Sequence, residues 1–546
     1  MYINESVEEN LRFLILEVQQ QLQRTAVYID DPSLDLLDSI LSRDDYIDNL
    51  KTVIQRKCFS AAASPGNDGS SHVEHLKAIV VVAANLERIA DFCEKIIKQL
   101  TYIEHNEVLE EYDFGNLFAS VMEGVSLIEK VVLENDAKLA ITLCAIERRI
   151  DDLFAGMFKR ILSDLSSSTQ AQSLVTVLFI GRYLERMGDS LLNIGEAAMS
   201  AFLGERIKIG QFDALEEALD AANLSPQISN LSLEAMGETK SGCRIDLVSS
   251  RQVDGGATMV IFKEGRRQKL EKEKSGVEYW DAMMPGIAPT IYAHHQDGDT
   301  GALLFEYLDG ATYEQILMKG NAQELGTALD NITATMQTVW KRTQRMGGTP
   351  VEFIAQIRTR LDDIYTVHPG FALQDGYVGK VSIPSFEDLL ESAAKIESQL
   401  CAPFRVLVHG DFNIDNVIFD TKSNRVRYID LHRAAMQDYV QDVSVFLVSN
   451  FRMQVFDPAV RTRINQSVLR FKKSAADFAR EIGDHTFECR LALGIARSFV
   501  TSTRFVLDKE FATDMLLRSR YLLEDIVANA GRRPEKYRLP EEILVD

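Results

Sequence analysis

Apolar positions recur at two different periods along this chain, and the change of period divides it. Over residues 1 to about 208 the spacing is helical, with Leu11, Leu14, Ile15, Val18 and Leu22 forming one stripe. Pro occurs there only at 32 and 65, and Gly is sparse. Ser33 and Ser71 stand where N-caps are wanted, and the run from Ser64 to Ser71, with Pro65, Gly66 and Gly69, reads as a loop between helices. The pattern predicts helices over 4–30, 33–62, 71–103, 113–134, 136–165 and 170–204. Residues 210–240 are polar and turn-prone, with a short helix over 213–222. From 241 the period falls to two, predicting a strand at 243–249, a turn at 251–258 and a strand at 259–263. A helix at 267–284 and an apolar strand at 302–310 follow. Helices are then expected at 312–317, 323–345, 351–365 and 385–400, with Met336 and Trp340 in the core. Buried strands at 406–408, 417–419 and 426–430 precede helices at 438–456, 458–482, 485–508 and 509–530. The fold class is therefore multidomain: an all-α half at 1–209, a linker at 210–240 and an α+β domain at 241–546.

Composition narrows the options without naming a function. The chain has 546 residues, more than one core holds, and a net charge of −22. Phosphate backbones demand clustered Lys and Arg, so nucleic acid is not the expected partner. Six scattered Cys with no Cys-x-x-Cys pair read as reduced thiols, and the expected location is cytoplasmic. The N-terminal residues lack a basic n-region, and no apolar run approaches the ~20 residues of a membrane span.

The helical half repeats itself. Asp44, Ile47, Asp48 and Leu50 match Glu147, Ile150, Asp151 and Leu153 at an offset of 103 residues. Leu86, Glu87, Arg88 and Asp91 match Leu184, Glu185, Arg186 and Asp189 at an offset of 98. Two units of three helices are implied. Gly181, Gly188 and Gly195 are seven apart and share one helix face, where small residues admit a neighbouring helix. Glu185 lies on that face, and Asp189 and Asn193 follow at i+4 steps. Carboxylates on a packing seam need a partner. Either Asp44, Asp48, Glu147 and Asp151 complete a metal site with them, or Glu87 and Glu185 pair with arginines such as Arg88 or Arg182.

The repeated Leu-Glu-Arg-x-x-Asp in two three-helix units resembles the PhoU family of phosphate-uptake regulators over residues 5–208. The resemblance implies metal binding by bundle acids, here a transition metal or zinc at Glu185 and Asp189, in a second copy that also carries Asn193 and Glu196. In the first copy Lys95 and Lys98 replace Asn193 and Glu196, which weakens a metal reading there. It also implies a homodimer or a phosphate-signalling partner engaged through the bundle.

The second half is organised around 406–430. A strand at 406–408 ends in His409, Gly410 and Asp411; Asn416 follows five residues after Asp411, and Asp430 ends the next strand. Phosphoryl transfer needs such a set: one acid to orient and deprotonate the acceptor hydroxyl, and an amide with a second acid to hold Mg²⁺ on the ATP phosphates. The spacing matches the catalytic loop and metal acid of protein kinases. The His-Gly-Asp opening resembles the aminoglycoside phosphotransferase and choline kinase branch. That branch typically has Gly-Asp-Pro and Asp-Leu-Ala further on, where this chain has Gln437-Asp438-Tyr439 and Asp442-Val443-Ser444.

This resemblance implies a bilobal kinase-like domain with a small lobe at 241–309 and a large lobe at 310–546. It assigns Lys263 to the ATP phosphates and an acid on helix 267–284 to hold it. Glu271, Glu273 and Glu278 are available, and Glu273 is chosen because Val277 and Trp280 follow at +4 and +7. Backbone groups of Glu306, Tyr307 and Leu308 would meet adenine, Asn416 and Asp430 would hold Mg²⁺, Asp411 would act as base, and His409 would brace the loop. Asp442 would anchor the loop through backbone N–H groups, and Asp438 would serve structure. Gly255 and Gly256 fit a phosphate cradle or a plain hairpin equally. His294, His295 and His432 lack metal-ligand spacing. The charged run starting at Arg532 reads as a solvated loop.

The expectation is an ATP- and Mg²⁺-dependent phosphotransferase acting on a small-molecule hydroxyl, regulated by the bundle in response to phosphate or metal. Its rivals are a non-catalytic nucleotide-binding regulator of phosphate homeostasis and a kinase with a protein acceptor. The acceptor is left open among aminoglycosides, amino alcohols, sugars and nucleosides.

Overall fold

The computed structural model describes residues 5–63, 70–104, 107–134, 136–166, 170–222, 224, 231–236, 243–251, 257–372, 375–531 and 533–545. The chain divides into two compact units, Met1–Glu238 with Arg244–Phe262, and Thr239–Cys243 with Lys263–Asp546.

The first unit is built from two sets of three long helices, Glu5–Asp30, Leu34–Ala62 and Ser70–Leu100, then Phe114–Leu133, Ala137–Leu165 and Ala171–Leu203. The stripe Leu11, Leu14, Ile15, Val18 and Leu22 is buried along its whole length. Ser33 caps its helix by accepting from the Leu36 amide at 3.3 Å. The other serine does not follow the expected pattern, since its helix begins at Ser70. The glycine face is a packing seam, as expected. A Cβ on Gly181, Gly188 or Gly195 would press on Met157, Ile150 or Cys144, all on helix Ala137–Leu165. Gly204, with φ of 85°, ends the last long helix in the left-handed region.

The expected linker holds more structure than its polarity suggested. Helix Ile209–Ala221 is followed by a strand, Leu231–Ala235, which pairs antiparallel with Arg244–Arg251 from Leu231↔Ser250 to Ala235↔Asp246. Arg244 ties this hairpin to the bundle: it donates to Asp246 at 2.5 Å, to Gln211 at 3.1 Å and to the Arg206 carbonyl. The compact division thus groups 244–262 with the helices, whereas the sequence pattern places the boundary inside 210–240. The glycine turn at 255–256 lies outside the described residues.

The second unit is α+β. Helix Arg267–Met283 precedes an antiparallel hairpin, Ile291–Asp297 with Thr300–Glu306. Two three-stranded sheets carry the motif region. In one, Cys401–Val408 lies between Ala435–Gln437 and Arg345–Pro350; in the other, Val417–Asp420 lies between Arg425–Tyr428 and Ala311–Thr312. Behind them pack the helices Ala322–Thr343, Val440–Phe451, Pro458–Glu481, Phe487–Ser502 and Lys509–Asn529. Every residue of Val440–Phe451 is buried, and so are Met336 and Trp340.

Two details depart from the sequence reading. The expected helix at 351–365 is two helices, Phe353–Arg358 and Leu361–Val367. The amides that open the first are taken by the buried Glu397 carboxylate at 2.7 Å and 3.1 Å. A hairpin, Gly376–Val378 with Val381–Ile383, was not anticipated. Over 533–536 no residue is buried, as expected of the charged run, and the stretch after it docks: Tyr537, Leu539 and Leu544 are buried, and Glu541 meets Lys472 at 2.9 Å. No helix among the described residues is long and apolar enough to cross a membrane.

Candidate active site

Strand Cys401–Val408 runs through the core, with Val406, Leu407 and Val408 fully buried, and delivers the next residues to a tight loop. Gly410 makes the loop possible. Its φ is 81°, and a Cβ there would collide with the Arg433 carbonyl oxygen. The loop is held from below by Asp442, whose carboxylate accepts from the His409 amide at 2.7 Å and the Gly410 amide at 2.9 Å. Burial pushes that carboxyl up to about 7, against the pull of the two amides. Asp442 anchors the loop as the sequence suggested. Asp438 joins a buried network, where it and Asp484 flank the fully buried Arg490, and Tyr439 donates to Asp484 at 2.6 Å.

His409 is enclosed rather than presented. It has no exposure, its Nε2 donates to the Ile429 carbonyl at 2.9 Å, and Phe412 and Tyr428 meet it edge-on. Burial pushes its pKa down to about 4, so the ring is neutral and braces the loop. Asp411 is partly exposed, with Oδ1 3.0 Å from Asn413 Nδ2 and 3.4 Å from Arg433 Nη1. Asn416 donates its side-chain amide to the Asp411 carbonyl at 2.9 Å, and its own carbonyl accepts from the Ile429 amide at 3.1 Å. The loop is thereby stitched to the residue preceding Asp430.

Asp430 lies two residues beyond the end of strand Arg425–Tyr428, with φ of 60°. A non-glycine side chain in the left-handed region costs of the order of 1–3 kcal/mol and persists only where its surroundings enforce it. Those surroundings are charged. Lys263 Nζ is 2.8 Å and His432 Nδ1 3.1 Å from Asp430 Oδ1. Although burial works the other way, the His432 hydrogen bond and the Lys263 charge hold the Asp430 carboxyl far below the usual range.

Lys263 is buried and reaches a second carboxylate, Glu273, at 2.7 Å. Burial would lower the lysine, but Glu273 and Asp430 together raise it. Burial in turn raises Glu273, whose Oε2 is buried with no hydrogen-bond partner. Of the three acids offered by helix Arg267–Met283, the structure brings Glu273 to the lysine and turns Glu271 to Arg267 at 2.9 Å. The helix approaches closely because residue 276 is glycine; a Cβ there would collide with the Leu431 carbonyl oxygen, one residue past Asp430. Glu273, Lys263 and Asp430 thus form one ion-paired group, while Asn416 ties the backbone of Asp411 to that of Ile429, the residue before Asp430.

The segment 306–308 lies apart from that group. Glu306 gives its amide to the Thr290 carbonyl at 2.9 Å, and its carboxylate binds Thr290 and, at 2.8 Å, Arg427. Tyr307 is partly exposed and Leu308 buried. Sequence reasoning weighed His432 only as a metal ligand, and it missed Arg452 and Arg497, which support the loop from far along the chain. Arg452 donates to Asn413 at 2.9 Å. Arg497 donates to Gln441 at 2.9 Å, whose amide reaches the Gly410 carbonyl at 3.3 Å. Spacing carries no trace of partners so far along the chain.

On the bundle, Glu185 is paired with Arg182 and lies 3.8 Å from Arg186, while Asp189 meets Arg186 at 2.7 Å. Glu87 meets Lys51 at 2.9 Å, not Arg88. Burial and neighbouring acids raise Glu147, Asp151 and Glu185. Among the described residues no three His, Cys, Asp or Glu gather as a metal site. The structure shows the ion-pair alternative for Glu185 and Asp189 and lends the zinc or transition-metal expectation no support.

Two family models match the chain. One, described as the phosphotransferase enzyme family, covers residues 283–480; the other, the PhoU domain, covers 12–100 and 117–198. A PhoU homolog of the phosphate-specific transport system from Clostridium acetobutylicum is 25% identical over 175 residues, 31% of this chain and 78% of that protein. Among solved structures, the Plasmodium vivax ethanolamine kinase aligns at 13% identity and a TM-score of 0.37, over 57% of this chain and 87% of its own. An aminoglycoside-3'-phosphotransferase of type VIII aligns at 17% identity and a TM-score of 0.31, over 50% of this chain and 99% of its own.

Proposed function

Since this chain joins an N-terminal PhoU domain to a C-terminal domain of the phosphotransferase enzyme family, we propose that it transfers the γ-phosphoryl group of ATP to a hydroxyl of a small molecule. The observation that carries this reading is Lys263, buried between Glu273 and Asp430, with Asn416 bonding the backbone of Asp411 and of Ile429, the residue before Asp430. A lysine held by two acids keeps its charge in a buried place, ready for triphosphate oxygens.

The donor set at 416 and 430 fits Mg²⁺. It is hard oxygen: one carboxylate, and an amide whose nitrogen is committed to the Asp411 carbonyl, so that the amide oxygen is the group left to offer. Asn416 and Asp430 would hold the ion, which when bound neutralises charge on the phosphates. Asp411 takes the hydrogen bond of the acceptor hydroxyl and removes its proton as the new O–P bond forms. Arg433 and Asn413 keep its carboxylate oriented. With the Glu306 amide already committed, the nucleobase contact falls to Tyr307 and Leu308. The bundle, on this reading, adjusts the transfer in response to phosphate.

Acceptor-dependent ADP release by the full chain tests the proposal. Turnover should require Mg²⁺ and fall at least about a thousand-fold in Lys263→Met, because positioning and charge supply most of such a rate enhancement. Nucleotide binding with no turnover on any acceptor would favour the non-catalytic regulator.

A further inference from the structure

Both acids of the candidate site are reached from one short turn, residues 431–434, closed by the Ala434 amide on the Leu431 carbonyl at 3.1 Å. His432 Nδ1 meets Asp430 Oδ1 at 3.1 Å, and Arg433 Nη1 meets Asp411 Oδ1 at 3.4 Å. The turn is fixed at both ends. Before it, the Ile429 amide binds the Asn416 carbonyl at 3.1 Å; after it, Ala435 pairs with Val408. Two glycines seat it: a Cβ on Gly276 would collide with the Leu431 carbonyl oxygen, and one on Gly410 with the Arg433 carbonyl oxygen. His432 is thus carried on backbone with little freedom, and only 12% of its side chain is exposed.

Asp430 has a second partner. Lys263 Nζ lies 2.8 Å from the same Oδ1 and also serves Glu273. On the phosphotransferase reading, on which this inference rests, Lys263 turns to the phosphate oxygens of the nucleotide. His432 then holds Oδ1 alone. Among the described residues no hydrogen bond or ion pair falls on Asp430 Oδ2, so the clamp on Oδ1 leaves Oδ2 as the oxygen offered to a cation.

The backbone makes this support necessary. Asp430 has φ of 60°, in the left-handed region, where a non-glycine residue stays only if its surroundings enforce it. Freed from Lys263 and lacking His432, its carboxylate would have no side-chain partner to keep it in place. The imidazole suits the task. Nδ1 carries a hydrogen in the imidazolium and in one neutral tautomer, so the bond does not depend on the ring being charged.

We propose that His432 is a positioning residue: it grips Asp430 by Oδ1 and so keeps Oδ2 available to Mg²⁺ once Lys263 has turned to the phosphates. Hydrogen bonds to a metal-ligating carboxylate set its orientation, and losing one costs roughly 10–100-fold in metal affinity. His432 lacks the spacing of a ligand; its part is to hold one.

Binding tests this without requiring turnover. The affinity of the full chain for a non-hydrolysable ATP analogue is measured by calorimetry in Mg²⁺ and in EDTA. The parent chain should bind more tightly in Mg²⁺. In His432→Ala that gain should fall by about ten-fold or more, with the affinity in EDTA unchanged. His432→Asn, whose amide donates from the place of Nδ1, should keep most of the gain. His432→Phe, which fills the space without a donor, should lose it as His432→Ala does, and stands in if the alanine variant does not fold. A gain in His432→Ala or His432→Phe equal to the parent's would overturn the inference. So would a loss of the same size in EDTA, or a His432→Asn chain as weak as His432→Ala. A parent chain that binds no tighter in Mg²⁺ would overturn the phosphotransferase reading along with it. A parent that gains from Mg²⁺ while His432→Phe gains as much would leave that reading standing.

Discussion

At the scale of the residue, the site is a set of charges that only make sense together. Lys263 is buried between Glu273 and Asp430, and removing the lysine leaves two carboxylates without their counter-charge, costing about 3–5 kcal/mol. The choice of Glu273 was legible because Val277 and Trp280 mark the inward face of its helix, and both are buried. The left-handed backbone of Asp430 was not legible, since nothing in the local sequence demands it; the clamp by Lys263 and His432 does. His409 gives a prediction. Its folded pKa is pushed down by burial to about 4, below the ordinary 6.5 of an unfolded histidine. The unfolded chain therefore takes up a proton between those values that the folded chain refuses. The contribution is intact above pH 6.5 and is lost as pH falls toward 4, by about 3 kcal/mol in all. Urea unfolding from pH 7 to 4 should show a flatter decline in His409→Gln than in the parent chain. Equal slopes would place the histidine in contact with solvent.

At the scale of the element, the decisive contact is glycine on carbonyl. Helix Arg267–Met283 carries Glu273, and Gly276, one turn later, admits the Leu431 carbonyl. Gly276→Ala should push the helix off that carbonyl and loosen the Lys263 clamp. A loss of roughly ten- to a hundred-fold in kcat is expected from such a misplacement, with a stability loss of only about 1–3 kcal/mol. Unchanged kcat would mean that the helix position does not matter to the chemistry. Most helices were readable from periodicity and caps. Strand Leu231–Ala235 was not, because five residues amid turn-formers show too little alternation, and its partner is needed to define it. The start of helix Phe353–Arg358 was hidden for a similar reason, because Glu397, which caps it, lies far along the chain.

At the scale of the whole molecule, the duplicated three-helix plan was visible as paired sequence offsets. Strand Arg244–Arg251, expected to open the second half, is grouped with the bundle, where its partner strand buries Leu231 and Leu233 and Arg244 is bound to Gln211. A chain beginning at residue 210 should therefore melt lower than the full chain, with its hairpin exposed to protease; an unchanged melting temperature would show that the hairpin does not depend on the long helices.

The central claim is that Asp411, Asn416, Asp430 and Lys263 form one phosphoryl-transfer centre. Single-turnover transfer of labelled γ-phosphate from ATP to an acceptor, by the full chain and by Asp411→Asn and Asp430→Asn, tests it most directly. The account predicts measurable transfer by the parent chain and a loss of at least about a thousand-fold in each variant. Transfer at the parent rate in either variant would contradict it.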